Sequence, residues 1–259
     1  MPVLMYHEIR AGQNPWERRY FVSPDRFRDH IRALHQAGYR ACSLTSFRDW
    51  LTKRTELPVN AFLLTFDDGY TGVYEHAFPL LLEKAVPFAV FVVSSAIGAS
   101  DTWRREASPL SSAYSIMPGN QLVELARAGV GIGSHSRHHP DLTSLDADAL
   151  RNEVRGSRVE LEDVLGQEVD CFAYPYGKMN ETVRASVAES GYTCAFSTRS
   201  GFNHPDQDPL AVRRIDVYGT DTAGALLRKM RFGSNDGSLT SAWGYYAKRA
   251  IARRARPTG

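Results

Sequence analysis

The sequence predicts an α/β barrel, or a nearly closed parallel sheet, built as one large domain. Seven short apolar runs alternate with helical patterns, which is typical of βα units around a parallel sheet. The chain has 259 residues, a length at which α/β barrels occur as single domains. Side chains suited to chemistry follow the strand ends, where such barrels build active sites. We expect the strands at Val3 to Tyr6, Tyr39 to Leu44, Ala61 to Thr65, Phe88 to Val93, Gly131 to Ser134, Cys171 to Tyr174 and Thr193 to Ser197.

Two helices have clear boundaries in the sequence. Ser23 followed by Pro24 is typical of a helix start, because serine caps the first N–H groups and proline fits the first turn. That helix is expected to run to about Gln36. A second helix is expected over residues 146–165, ending at Gly166. Its apolar face is formed by Leu150, Val154, Leu161 and Leu165.

Composition excludes several classes of protein. The hydrophobic content of 43% and the charged content of 23% are ordinary for a globular domain. No run approaches the length of about 18 apolar residues that a membrane span requires. The first strand begins so close to Met1 that a signal peptide has no room, and we expect a cytoplasmic protein. The three cysteines lack C-x-x-C spacing and are expected to be buried thiols: Cys42, Cys171 and Cys194.

Charge is unevenly distributed along the chain. The net charge is +2, yet the last thirteen residues hold five basic residues and no acidic residue. The body is therefore mildly acidic, and no nucleic-acid partner is expected. We expect a catalytic barrel over residues 1–232 and a basic extension over residues 233–259. Basic residues follow aromatic residues in the segment 243–254, which suits either peripheral contact with an anionic membrane or a solvated helix or frayed tail. The oligomeric state is open.

A carboxylate pair follows the third apolar run, in Thr65-Phe66-Asp67-Asp68-Gly69. Adjacent carboxylates repel, so a cation or a shared proton normally neutralises them, although Asp-Asp-Gly alone also suits a turn. His135 and His139 are four residues apart, which places both imidazoles on one side of a helical turn. One aspartate and two histidines leave metal coordination positions open for water and substrate, as catalytic zinc sites require.

Further candidates lie on the same rim of the predicted barrel. His7 follows the first strand, and Tyr176 follows the sixth. Trp16 and Trp103 lie in two long loops, where they either stack on sugar faces or cover the barrel mouth. His138 is expected outside the set of metal ligands. Three other histidines fall in helical patterns and are expected to be exposed: His30, His35 and His76.

These motifs resemble those of the polysaccharide deacetylases, carbohydrate esterase family 4. Thr65–Gly69 is similar to the first family motif, TFDDG, and His135–Pro140 is similar to the second, H-[ST]-x-x-x-H-P. Phe172–Gly177 is similar to the third, which ends in P-Y-G or P-G. The resemblance covers about residues 2–218. It implies a distorted barrel of seven or eight βα units and a metal-dependent hydrolase that removes N-acetyl groups from the amino sugars of an oligosaccharide, polysaccharide or glycoconjugate.

The resemblance also implies a role for each matching residue. Asp68, His135 and His139 would bind one divalent ion, and Asp67 would accept a proton from the attacking water, which the ion binds. Zinc is the expected ion, with nickel, cobalt or iron as alternatives. The backbone N–H of Tyr176 would stabilise the oxyanion.

The general acid and the residue that orients the base have less direct matches. Leu4-Met5-Tyr6-His7 is similar to a permuted branch that includes the poly-N-acetylglucosamine deacetylases, in which His7 would be the general acid. A structural role for His7, with His204 as the reserve acid, is the alternative. Ala173 stands where the family has the arginine that orients the base. We expect Arg214 to take that role or to form a barrel-end salt bridge.

Two other functions remain open. A deformylase or small-amide hydrolase acting on a lipid- or nucleotide-linked amino sugar would keep the same metal site. A catalytically inactive carbohydrate-binding barrel would be expected to have lost reactive residues, and every expected group has a candidate here. The expected partner is a carbohydrate that bears N-acetylamino groups.

Overall fold

The computed structural model describes residues 1–103 and 113–240. Its centre is one parallel sheet in the order β7-β6-β5-β4-β3-β1-β8, with β2 paired to β3 beside this path. All seven predicted strands are present with small shifts at their ends, and the structure adds a short eighth strand. The strands are β1 (Val3–Tyr6), β2 (Arg40–Cys42), β3 (Ala61–Phe66), β4 (Ala89–Val92), β5 (Gly131–Ser134), β6 (Cys171–Ala173), β7 (Cys194–Phe196) and β8 (Ile215–Asp216).

Helices connect the strands, and both predicted helices are confirmed. One begins after Ser23, whose Oγ accepts the N–H of Arg26. The other begins after Asp146 and ends at Gly166, which has a φ of 65°. A single π-helical turn, Val73–Ala77, precedes the fourth helix. The helices in the described part of the chain are α1 (Pro15–Tyr20), α2 (Pro24–Gln36), α3 (Leu44–Leu51), α4 (Phe78–Glu83), α5 (Gly119–Arg127), α6 (Ala147–Leu165), α7 (Glu181–Glu189) and α8 (Ala223–Phe232).

Alternate side chains of each strand enter two different cores. Phe62, Leu64 and Phe66 of β3 pack into the larger core with apolar residues of α2, α4, α5 and α6. Leu63 joins a smaller core inside the curl of the sheet, with Val3, Ala89, Phe91, Ala173 and Phe196 among its other members. Because side chains alternate along a strand, the inward row of β3 continues beyond Leu63 to Asp67. The same alternation carries the inward row of β1 from Val3 to His7.

The sheet curls until its edges approach each other. Val212, just before β8, forms a parallel bridge with Phe196 of β7. The Val212 N–H donates to the Ala195 carbonyl at 2.9 Å, and the Ser197 N–H donates to the Val212 carbonyl at 2.8 Å. The result is the barrel-like α/β fold that the sequence predicts. Strand β1 lies between β3 and β8, which places His7 at the rim between the ends of these two strands.

Other expectations from the sequence have mixed outcomes. Cys42, Cys171 and Cys194 are free and buried, as expected. Within residues 1–103 and 113–240, no helix has the length and apolar character needed to cross a membrane. The segment Trp243–Arg254 lies outside the described residues. Asn235, beyond the expected end of the barrel, hydrogen-bonds to Asp216 of β8, while the boundary at residue 232 stays a prediction.

Candidate active site

A cavity of about 430 Å³ opens at the carboxyl ends of the strands, the rim at which α/β barrels bind their substrates. It brings together the residues predicted for metal binding and proton transfer. The charged and imidazole lining groups are His7, Arg19, Asp67, Asp68, His135, His139 and Asp216, and the aromatic lining groups are Trp16, Tyr20, Phe21, Tyr70, Trp103, Tyr174, Tyr176 and Tyr218.

Asp67 and Asp68 are separated by a sharp turn of the backbone at the end of β3. The Asp67 N–H donates to the Tyr6 carbonyl at 2.9 Å, so Asp67 still follows the course of the strand. Asp68 has a φ of 72°, a left-handed conformation that costs a non-glycine residue free energy. Six non-glycine residues of the described chain have a positive φ, and four of them lie at this site: Asp68, Ser136, His139 and Tyr176.

A tight loop after β5 carries His135 and His139, so the expected helical turn is wrong. Ser136 has a φ of 64° and His139 a φ of 62°, which no helix permits. The Ser136 Oγ accepts the His139 N–H at 3.0 Å. Glu153 of α6 accepts the His138 N–H at 2.9 Å. These hydrogen bonds give the loop its shape. The sequence did not reveal this loop, because a histidine spacing of four residues also suits a helix.

Asp68, His135 and His139 form a compact set of metal donors, with all ligand atoms within 4.8 Å of one another. The Nε2 atoms of His135 and His139 each lie 3.6 Å from Asp68 Oδ1. The His135 Nδ1–H donates to the Ala173 carbonyl at 2.8 Å, which leaves the Nε2 lone pair for an ion. Burial lowers the pKa of His135 to about 4 and that of His139 well below its ordinary value. Both imidazoles are therefore neutral at pH 7, the form that binds metals.

Arg214 lies fully buried beneath the cavity and holds Asp67 by both carboxylate oxygens. Its Nη1 donates to Asp67 Oδ1 at 2.6 Å, and its Nη2 donates to Asp67 Oδ2 at 2.7 Å. Its Nε donates to the Ser197 carbonyl at 3.0 Å, and its Cζ lies 5.7 Å from the centre of the Phe91 ring. Burial by itself would raise the pKa of Asp67, but the charge and hydrogen bonds of Arg214, together with His135 and His7, outweigh burial, and the pKa lies below its ordinary value.

Comparison with known proteins places this geometry in a family. The sequence model described as polysaccharide deacetylase matches residues 52–195, which is more than half of the chain. The chain belongs to the polysaccharide deacetylase family. The matched span contains Asp67, Asp68, His135 and His139.

Two curated relatives align with most of this polysaccharide deacetylase. The protein YxkH of Bacillus subtilis (strain 168) is 27% identical over 217 residues, which cover 84% of this chain and 71% of the relative. The poly-beta-1,6-N-acetyl-D-glucosamine N-deacetylase of Staphylococcus aureus (strain MSSA476) is 21% identical over 209 residues, which cover 76% of this chain and 68% of the relative.

Two solved structures share the fold of this polysaccharide deacetylase over most of their length. The Streptococcus pyogenes deacetylase PplD, solved in complex with acetate, matches with a TM-score of 0.75 and 25% identity, covering 89% of this chain and 97% of its own. IcaB from Ammonifex degensii matches with a TM-score of 0.73 and 26% identity, covering 90% of this chain and 96% of its own.

Asp216 of β8 is a cavity residue of this family member that the sequence reasoning missed. Its Oδ2 accepts the Tyr218 hydroxyl at 3.1 Å and the Asn235 Nδ2 at 2.7 Å. Burial raises its pKa, and the nearby His7 opposes that shift. Strand alternation could have revealed Asp216, because residues two apart on a strand face the same side and Asp216 lies two residues beyond Arg214.

His7 lies half-buried beside these carboxylates. Burial lowers the pKa of His7, while the charges of Asp67 and Asp216 oppose that shift.

The predicted aromatic contacts surround the histidines of the deacetylase site. The Trp103 ring stacks on the His139 ring with centroids 5.1 Å apart, and it is buried. The Tyr176 ring contacts the His139 ring edge-on, with centroids 4.6 Å apart, and remains 49% exposed. Trp16 packs beside Tyr20 with centroids 4.8 Å apart. Tyr176 lies in the turn that follows β6, with a φ of 57°.

The remaining histidines lie outside the cavity lining. The His138 side chain is 54% exposed and contacts Glu153 at 2.6 Å. His204 is exposed. His30 is fully buried, so its expected exposure is wrong. It lies on the apolar face of α2, where it contacts the Tyr6 hydroxyl at 3.0 Å and the Asp221 carbonyl at 2.8 Å.

Proposed function

We propose that this chain is a metal-dependent hydrolase that removes N-acetyl groups from amino sugars in an oligosaccharide, polysaccharide or glycoconjugate. Membership of the polysaccharide deacetylase family supports this function. So does the similarity to a relative that is named for deacetylating poly-β-1,6-N-acetylglucosamine. One observation carries the proposal: a carboxylate paired with a buried arginine lies beside a carboxylate and two imidazoles that fit one ion.

We infer that Asp68, His135 and His139 hold one divalent ion. One carboxylate and two neutral imidazoles suit zinc first, with nickel, cobalt and iron as alternatives. The hydrogen bond from His135 to the Ala173 carbonyl supports this assignment, because metal-binding histidines commonly donate their other N–H in this way. When bound, such an ion polarises the acetyl carbonyl and lowers the pKa of a coordinated water.

Asp67 is the proposed general base. Its two hydrogen bonds to Arg214 fix the orientation of the carboxylate and favour its ionised form. The carboxylate accepts a proton from the attacking water as the water oxygen bonds to the acetyl carbonyl carbon. Arg214 is thus a positioning residue that acts through Asp67.

Tyr176 and His7 complete the proposed reaction. The Tyr176 backbone N–H donates to the oxyanion that develops on the acetyl oxygen. His7 gives its proton to the amide nitrogen, the C–N bond breaks, and acetate and a free amine leave. Burial makes protonated His7 a stronger acid, whereas Asp67 and Asp216 favour retention of the proton.

The aromatic side chains suit a sugar substrate. Tyr176 is exposed beside His139, and Trp16 lines the same cavity. We propose that these two rings contact the pyranose faces. Trp103 also lines the cavity and stays a predicted contact, with its ring against His139.

Acetate release from a panel of amino sugars tests the proposal. The panel runs from N-acetylglucosamine to its β-1,4 and β-1,6 oligomers and to nucleotide- and lipid-linked forms, each with and without a chelator. The expected result is chelator-sensitive acetate release that added zinc restores. Formate release from N-formyl analogues alone would favour a deformylase. Tight carbohydrate binding with no product would favour a binding protein.

Three features outside the described site stay predictions that rest on the sequence. These are the domain boundary at residue 232, a cytoplasmic location, and peripheral membrane contact through the basic residues after 243. Sedimentation with anionic vesicles, before and after deletion of residues 243–259, tests the membrane contact. Equal sedimentation of both forms would contradict it.

A further inference from the structure

Arg19 stands at the mouth of the cavity, held between two tyrosine rings. It lies in the last turn of α1, and its side chain is exposed. Its Cζ lies 4.9 Å from the centre of the Tyr218 ring and 5.6 Å from the centre of the Tyr20 ring. Its Nη2 donates to the Tyr218 hydroxyl at 3.5 Å. Guanidinium groups stack well on aromatic faces, so both the position and the orientation of this charge are restrained.

The backbone fixes Arg19 beside the catalytic rim. The Gly219 N–H donates to the Arg19 carbonyl at 2.8 Å, which joins α1 to the loop after β8. A Cβ at Gly219 would lie 1.9 Å from the Phe21 carbonyl oxygen, so this close approach requires glycine. The Arg19 side chain therefore belongs to the rim of the cavity.

Arg19 is one aromatic ring away from the proposed general acid. The Tyr20 ring that Arg19 covers also meets the His7 ring, with centroids 5.7 Å apart. The Tyr218 hydroxyl that accepts from Arg19 itself donates to Asp216. The Tyr20 ring thus connects Arg19 to His7, the proposed proton donor to the amide nitrogen.

The charge of Arg19 has no carboxylate partner within 4.0 Å among residues 1–103 and 113–240. The hydrogen bond to Tyr218 is the largest cause that raises the pKa of Arg19, whereas the carboxylate of Asp216 acts only from beyond ion-pair distance and is the smallest such cause. Tyrosine rings orient a guanidinium without neutralising it. The planar fork of N–H donors in arginine matches the oxygens of phosphate and carboxylate groups.

We propose that Arg19 forms an anion subsite, and that the preferred substrate carries a phosphate or carboxylate next to its N-acetylated sugar. This inference rests on the proposed deacetylase function and adds the chemical class of the neighbouring group. It predicts that a neutral N-acetylglucosamine oligomer is deacetylated less efficiently than an amino sugar joined to an acidic group.

Three substrates test the subsite: N,N′-diacetylchitobiose, which is neutral, N-acetylglucosamine 1-phosphate, and a disaccharide of N-acetylglucosamine and glucuronic acid. Acetate release by the zinc-loaded full chain gives kcat/KM for each. The variants are Arg19→Gln and the matched control Arg18→Gln, which removes the same charge from an exposed neighbour outside the cavity lining.

The subsite predicts that Arg19→Gln lowers kcat/KM about tenfold for at least one acidic substrate, while the neutral substrate changes little. Arg18→Gln should leave all three values near wild type. The acidic substrate whose kcat/KM falls more in Arg19→Gln shows whether the subsite prefers a phosphate or a carboxylate. Added salt should reduce the wild-type preference, because charges at a rim are screened.

Two results would overturn the subsite while the proposed function stands. In the first, the wild-type protein deacetylates neutral and acidic substrates equally well. In the second, Arg19→Gln lowers kcat/KM for neutral and acidic substrates by the same factor, as expected if the arginine has only a structural role. Acetate release from another member of the earlier panel but from neither acidic substrate would overturn the subsite alone, whereas acetate release from no substrate at all would reject the proposed function together with the subsite.

Discussion

Asp67 and Asp68 are neighbours in the chain and both lie near His135, yet the strongest contacts of the two carboxylates differ. Asp67 pairs with Arg214 inside the barrel, whereas Asp68 lies 3.6 Å from the Nε2 atoms of His135 and His139. The left-handed turn at Asp68 produces this division. In the proposed reaction, this division lets one carboxylate hold an ion while the other accepts a proton.

Replacing Asp67 by asparagine should remove the base and keep the ion. The amide has the shape of the carboxylate but accepts no proton at neutral pH, so kcat should fall by about 10² to 10⁴-fold. Acetate release gives the rate, and elemental analysis gives the zinc content per chain. The control Asp68→Asn should lose both zinc and activity. Substantial turnover by Asp67→Asn would place the base elsewhere.

Replacing Arg214 by methionine should destabilise the protein. The substitution leaves the Asp67 carboxylate buried without its partner, so the free energy of unfolding should fall by about 3 to 5 kcal/mol. Urea denaturation measures this change. The double variant Arg214→Met with Asp67→Asn should recover much of the stability and none of the activity. Equal stability of the single and double variants would show that the charge pair is not the cause.

At the scale of elements, strand alternation explains which site residues the sequence could predict. His7, Asp67 and His135 each follow an apolar strand in its inward row, so pattern and motif point to the same side chains. The geometry of His135 and His139 was predicted wrongly, since a spacing of four suits both a helix and this loop. Glu153, which shapes the loop from α6, has no local signal in the sequence.

The segment after α8 supports the active site from outside the strands. Asn235 Oδ1 accepts the Asp216 N–H at 2.8 Å, and its Nδ2 donates to Asp216 Oδ2 at 2.7 Å. Both bonds hold Asp216 in the position from which it faces His7.

Replacing Asn235 by alanine should therefore lower both the activity and the stability of the protein. Loss of the two hydrogen bonds should cost about 1 to 3 kcal/mol of stability. The value of kcat should fall about tenfold with KM little changed, because general acid catalysis accounts for a factor of this size or more. Ser234→Ala is the control, since the Ser234 side chain hydrogen-bonds only to the Asp236 N–H of the same loop among the described contacts. An unchanged kcat in Asn235→Ala would remove Asn235 from the support of the site.

At the scale of the whole molecule, curling of the sheet creates the contacts that the sequence could not assign. Arg214 and Asp67 are 147 residues apart and meet because the segment before β8 reaches β7 while β8 pairs with β1. Strand β8 has only two residues, too few for a periodic pattern to show its register. The sequence therefore predicted the barrel and the grouping of Asp68, His135 and His139. It allowed two roles for Arg214 and gave no prediction for Asp216.

Titration of zinc into metal-stripped protein, with acetate release followed on the best substrate of the panel, tests the central claim most directly. A donor set of Asp68, His135 and His139 beside Asp67 predicts that activity rises from near zero and saturates at one ion per chain. Acetate release that is unchanged by stripping, or that stays absent after one ion is bound, would contradict a metal-dependent deacetylase at this site.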